Sequence, residues 1–177
     1  ETIQYSLFTL QTLDWGKLKA EFGGRVERSH ISSDPINVDR RFTAWSGSAG
    51  ASYEFVPGWK FGVNLAHTER APSAEELFSN GPHAGTQAFE IGDPNFKKER
   101  SFGVEGTLRG GGHNYILEAS AYYNKFNNYI FDRQTGAIED GLPVFQSAQA
   151  DATYYGFEAQ ATVTLARFGD WKVDADG

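Results

Sequence analysis

Apolar and polar residues alternate with a period of two along most of this 177-residue chain, which commits its backbone to β-strands with two unlike faces. Leu18, Ala20, Phe22, Gly24 and Val26 share one face, against Lys17, Lys19, Glu21, Arg25 and Glu27 on the other. Trp45, Gly47, Ala49, Ala51, Tyr53 and Phe55 oppose Ser46, Ser48, Gly50, Ser52 and Glu54 in the same way. The pattern returns over Phe61–Ala66, Ser101–Leu108, Tyr115–Asn124 and Tyr155–Leu165. Gln4–Thr12 alternates less cleanly, and Trp171–Asp174 begins an eighth strand that is cut off. The expectation is an all-β chain, an antiparallel up-and-down meander of about seven long strands plus that truncated eighth.

Strand length narrows the choice. Segments 41–55, 114–131 and 143–166 far exceed the usual strand of about 5–6 residues in a soluble domain. From Trp45 to Tyr53, and from Tyr115 to Tyr123, the apolar face runs roughly 26 Å at about 3.3 Å per residue. Both bands begin and end on an aromatic residue. A transmembrane barrel shows an apolar outer band of about 25 Å between aromatic girdles. Mean hydropathy is −0.49, and no run of about 18 apolar residues exists, so a membrane-crossing helix is excluded. Low hydropathy does not count against a barrel, whose strands are half polar. A soluble all-β ligand-binding domain that closes its own small barrel is the alternative.

The connections alternate between short and long. Asp14–Gly16, Val56–Gly58, Arg109–Gly112 and Arg167–Asp170 are short, whereas Ser32–Arg40, Ala71–Glu99 and Arg133–Leu142 are long. Antiparallel strands crossing a membrane place alternate connections on opposite sides, and outer-membrane barrels keep tight turns on one side and long loops on the other. Seven strands and a stub do not close such a barrel, and an open edge in lipid is costly. Residues 1–177 thus read as one partial barrel segment, with 71–99 as a long extracellular loop. Glu1 has no basic, apolar leader before it, so any secretion signal is expected to lie upstream or to have been removed.

Composition removes several functions. There is no Cys, hence no disulfide framework, thiolate metal site or cysteine nucleophile. A net charge of −7 offers no basic stripe for nucleic acid. Gly110-Gly111-Gly112 has no following helix to cradle phosphate. Glu75-Glu76 and Glu139-Asp140 are loop carboxylates without the shielded partner that acid–base work needs. No enzyme is expected. Within the long loop, Ser73 and Glu76 have the spacing of a capping box, with Leu77 and Phe78 as the apolar side of a short helix.

Four stretches resemble the barrel half of TonB-dependent outer-membrane receptors: "TERAPSAEELF" (68–78), "GDPNFKKERSFGVEG" (92–106), "AYYNKFNNYIF" (121–131) and "ADATYYGFEAQA" (150–161). In the second, Asp93, Phe96 and Lys98 depart from the family's usual wording. The stretch "NGPHAGTQAFEIGDPN" (80–95) is most similar to the zinc-related receptors of that family. The resemblance implies a segment of a 22-stranded transmembrane barrel in the outer membrane, its lumen filled by an N-terminal plug absent here. It implies outer-membrane lipid, the plug, TonB acting through the plug region, and a small ligand or metal as partners. Energised uptake of zinc or a zinc complex is then expected, with an iron siderophore, haem or cobalamin as alternative cargo. No resident cofactor is expected, zinc being at most cargo.

The resemblance also ranks candidate residues. His83, Glu90 and Asp93 in the loop offer the nitrogen and oxygen donors that zinc accepts. His30 and His67 lie toward the same end and are weaker candidates, while His113 falls at the opposite, turn end. Arg70 continues the polar parity of Gly62, Asn64 and Ala66, so it either meets a plug carboxylate or pairs with an acid on a neighbouring strand.

Overall fold

The computed structural model describes residues 1–177 and is a single curved wall of strands. The elements are β1 (Thr2–Trp15), β2 (Leu18–Ser33), β3 (Val38–Val56), β4 (Trp59–Arg70), helix α1 (Ala74–Phe78), β5 (Asn80–His83), β6 (Ala88–Ile91), β7 (Glu99–Gly111), β8 (Tyr115–Glu139), β9 (Leu142–Phe168) and β10 (Trp171–Asp176). Their order in the sheet is β1-β2-β3-β4-β7-β8-β9, with β10 on the far side of β9 at one end and β6-β5 beyond it at the other. All pairs are antiparallel except β6 with β9. β1 does not meet β10, so the wall stays open.

Of the 111 backbone hydrogen bonds, 99 lie within helices and strands. That is the arrangement a wall in hydrocarbon needs, because no water is there to satisfy a stray N–H or C=O. The register carries the sequence pattern across strands. Ala20, Ala51, Val63, Gly106, Ala121 and Phe157 form one continuous row on the apolar face. Large side chains such as Phe61, Tyr53 and Phe157 stand exposed there.

Two expected connections prove to be strand. β8 and β9 run through Arg133–Leu142 and are joined only by Asp140-Gly141, with φ of 51° and 76°. Two residues at positive φ make a hairpin turn whose twist matches its strands, and Asp-Gly is a preferred pair for it. Likewise β2 and β3 extend to Ser33 and from Val38, leaving a 3-10 turn at Asp34–Ile36. The difference between the two ends of the wall therefore lies partly in strands that overshoot the apolar band.

The core is at the overshooting end. Only 16 of 177 residues are buried, and of the buried apolar side chains all but Ala20 lie there. Ile31, Phe42, Ala71, Leu77, Phe96 and Ile130 form one cluster, with Ala74 and Phe78 against it. Ile31 shares the polar face of β2 with Glu27 and Ser29, and Phe42 is paired with Ser29. The loop between β4 and β7 thus folds over the polar side of the wall, which makes that side the lumen.

Candidate functional site

The 71–98 connection is built rather than loose. Ser73 caps α1: its hydroxyl accepts from the Glu76 N–H at 3.1 Å, and the Glu76 carboxylate accepts from the Ser73 N–H at 2.7 Å. The same Glu76 receives both guanidinium nitrogens of Arg70, at 2.9 and 3.1 Å. Arg70 also reaches Glu99 at 3.3 Å, and Glu99 in turn accepts from the Ile130 N–H at 3.0 Å. One arginine on the rim of β4 therefore ties the loop helix to β7 and β8. Of the two readings of Arg70, the structure supplies the neighbouring acids from this chain itself.

Packing locks the remainder. Leu77 is 1% exposed beneath the helix. Gly92 passes so close to α1 that a Cβ there would lie 2.7 Å from the Glu76 carbonyl oxygen and 2.8 Å from Leu77 backbone carbon. No side chain fits against rigid backbone at that range. On the return path, Lys97 and Gln149 exchange hydrogen bonds of 3.0 and 2.8 Å. In between, the breaker-rich Asn80-Gly81-Pro82 forms β5 of a small hairpin. Proline is tolerated because β5 is the outermost strand, where a missing N–H costs no ladder bond. β6 pairs with β9 through Phe89–Ile91 and Val144–Gln146.

The hairpin tip holds His83. Its Nδ1 lies 3.3 Å from Glu90 Oε1 and 3.2 Å from Thr86 Oγ1, and the Thr86 hydroxyl donates to Glu90 at 2.7 Å. Asp93 is elsewhere, its carboxylate accepting from the Asn95 N–H and its own N–H bonded to the Glu76 carbonyl. His30 pairs with Asp39 on the neighbouring strand. That hydrogen bond, helped by Arg41, holds the Asp39 carboxyl below the usual carboxylate range. His67 stacks on Trp45 with ring centroids 4.2 Å apart, its buried Nε2 without a partner. No group of three or more His, Asp or Glu side chains converges. The candidates stay apart, and His83 with Glu90 is the one His–carboxylate pair in the long loop.

Further along the lumen face the wall is polar and acidic. Arg109 pairs with Glu118 at 2.8 Å, but Glu105 and Glu158 have no cationic partner and flank a shallow depression with Asn64, Asn124, Tyr122 and Tyr154. The two tyrosine rings are stacked, 5.3 Å between centroids, with Tyr122 donating to Tyr154 at 3.2 Å. Gly156 leaves the room that the Tyr122 ring occupies. Such a surface can hold polar or cationic species; it presents no activated nucleophile.

Comparison with known proteins agrees with this geometry. A family model described as "TonB dependent receptor-like, beta-barrel" matches residues 1–177. Among solved structures, the copper transporter OprC is 22% identical, with a TM-score of 0.77 over 98% of this chain and 27% of its own. The FrpB iron transporter from Neisseria meningitidis is 15% identical, with a TM-score of 0.68 over 93% of this chain and 24% of its own. The Serratia marcescens hemophore receptor HasR, solved with its hemophore HasA and heme, is 16% identical, with a TM-score of 0.72 over 90% of this chain and 31% of its own. The chain thus spans about a quarter to a third of the solved proteins it matches.

Proposed function

Because the chain belongs to the TonB-dependent receptor β-barrel family, a family of outer-membrane transporters rather than enzymes, we propose that it forms part of the barrel wall and one mouth loop of a receptor for energised uptake of a scarce nutrient, zinc or a small zinc complex. The observation that carries the class is the two-faced wall matched along its whole length, apolar outside and polar within. Binding and passage are its work, with no bond made or broken. The plug and TonB contact belong to the parts of the receptor outside these residues.

Two features favour a metal cation as cargo. His83 and Glu90 sit together on an exposed hairpin tip, offering an imidazole nitrogen and a carboxylate oxygen to a borderline-soft ion. They make two ligands, so the remaining donors would come from water, from the cargo's own ligands or from other loops. Below them, the unpaired Glu105 and Glu158 favour cations over anions on the lumen face. The second reading, an iron siderophore, haem or another metal complex, draws on the solved relatives, whose names record copper, iron and a hemophore.

Calorimetry of the whole receptor separates the two. Zinc binding weakened by His83→Ala supports the first reading. Binding of iron chelates without zinc removes it and leaves the receptor class in place.

A further inference from the structure

The rim of the wall is slit on both sides of the β4–β7 tip. β3 pairs with β2 as far as Val38, but its ladder with β4 stops at Gly47 and His67. β8 pairs with β9 out to Glu139, but its ladder with β7 stops at Asn127 and Arg100. β4 and β7 meanwhile stay paired with each other up to Arg70 and Glu99. The 71–98 loop lies across both gaps, and its apolar cluster takes in Ile31 and Phe42 from one flank and Ile130 from the other.

The two gaps are closed by different means. On the β8 side the loop adds a strand of its own, since β6 pairs with β9 along Phe89–Ile91. Gln149 exchanges two hydrogen bonds with the Lys97 backbone and reaches the Asn128 carbonyl at 3.1 Å, while Glu99 accepts from the Ile130 N–H. On the β3 side the bonds run through side chains. The Glu69 carboxylate accepts from the Trp45 N–H at 3.1 Å, and Ser46 Oγ accepts from the Glu69 N–H at 3.3 Å. Lys98 donates to Glu69 and to the Thr43 carbonyl, and Arg40 donates to the Phe96 carbonyl at 2.8 Å. The Glu69 side chain is 4% exposed and that of Lys98 20%. At the foot of this gap the buried His67 Nε2 has no partner.

We propose that the gap between β3 and β4 is a gate in the rim, latched by Glu69, Lys98 and Arg40, and that the loop stays with the β8–β9 hairpin when it opens. Opening there parts Ile31 and Phe42 from the loop and breaks the side-chain stitches, but it unpairs no strand of the loop. Opening on the other side would in addition strip β6 from β9. A buried ion pair also makes a latch that depends on both its members, because removing one leaves the other charged and unpaired. A parted rim widens the mouth, and this holds whichever cargo passes through it.

The test measures two distances in the whole receptor in lipid nanodiscs by double electron–electron resonance. Spin labels are carried on Asp34→Cys at the β2–β3 turn, Asn95→Cys in the loop and Glu139→Cys at the end of β8, all exposed positions. The parent is expected to show one distance for Asp34–Asn95 and one for Asn95–Glu139. Glu69→Gln with Lys98→Met removes both members of the ion pair. In part of the population it should lengthen Asp34–Asn95 by about 5 Å, one strand spacing. Asn95–Glu139 should stay as in the parent, which shows that the loop is still folded on β9. Lys98→Arg keeps the charge and should keep both parent distances. Unchanged distances in the double variant overturn the proposal, and so does any lengthening of Asn95–Glu139, which would mean that the loop leaves β9 or unfolds.

Discussion

The wall and the loop that crosses its mouth are built on opposite principles. At the height of the apolar band, from Trp45 to Tyr53 and their neighbours across the sheet, the wall buries almost nothing, since both faces are open and Ala20 is the one apolar side chain covered there. The loop, which the sequence marks as the least regular part, holds Leu77, Phe96 and Ala71 in the one apolar cluster of the chain. A strand in this wall is stable because lipid and neighbouring strands surround it, whereas the loop is held by apolar packing onto Ile31, Phe42 and Ile130 at the rim of the wall. The contrast implies that the loop keeps one shape on the rim, holding His83 on a fixed platform.

Substitutions in the whole receptor can break or sharpen that contrast. Leu77→Ala should have the largest effect, about 2–5 kcal/mol, because its cavity opens in a closed cluster. Hydrogen exchange should accelerate by at least about thirtyfold over residues 71–98 while the wall stays protected. Equal acceleration along Trp45–Tyr53 would mean the loop and wall are one cooperative unit. Val63→Arg, in the middle of the lipid-facing row, should cost about 2–4 kcal/mol in refolding titrations into lipid and leave loop exchange unchanged.

Smaller effects probe the joint between the regions. Arg70→Ala leaves Glu76 and Glu99 without their shared cation and should loosen the loop by about 1–2 kcal/mol, read as faster proteolysis between α1 and β5. Ser73→Ala removes one cap bond and should cost about 1 kcal/mol, seen only in exchange at Ala74–Phe78. If the serine change proved as damaging as Leu77→Ala, the helix rather than the cluster would be holding the loop.

Much of this was legible beforehand, and for physical reasons. Period two decides which residues share a face, so the row from Ala20 to Phe157 follows from parity alone. The cap on α1 is local, requiring only Ser73 and Glu76 three apart. What escaped depends on contacts distant in sequence. The fold of 80–91 as a hairpin needs β9 as its support, and the role of Arg70 needs a helix that turns back onto it. Two signals were nevertheless present. Asp140-Gly141 marks a tight turn where a longer loop was expected. Ile31 and Phe42 are apolar residues on an otherwise polar face, and such a breach of parity near a strand end announces something packing there. The scattered His30, His67 and His83 gave no comparable sign, because ligand convergence is a property of loops in space rather than of spacing.

The parallel pairing of β6 with β9 bears on the order in which the mouth is assembled. Phe89 meets Val144, fifty-five residues later in the chain, on the edge of β9 left free by β8. Emerging from β4, the hairpin has no partner until β7, β8 and β9 have been laid down in turn. Contacts of such sequence separation form late, after the local β-ladders have closed their shorter loops. The entrance is therefore finished last, and a receptor whose β8–β9 hairpin is misregistered would carry an unpaired β6 as the visible mark of its error.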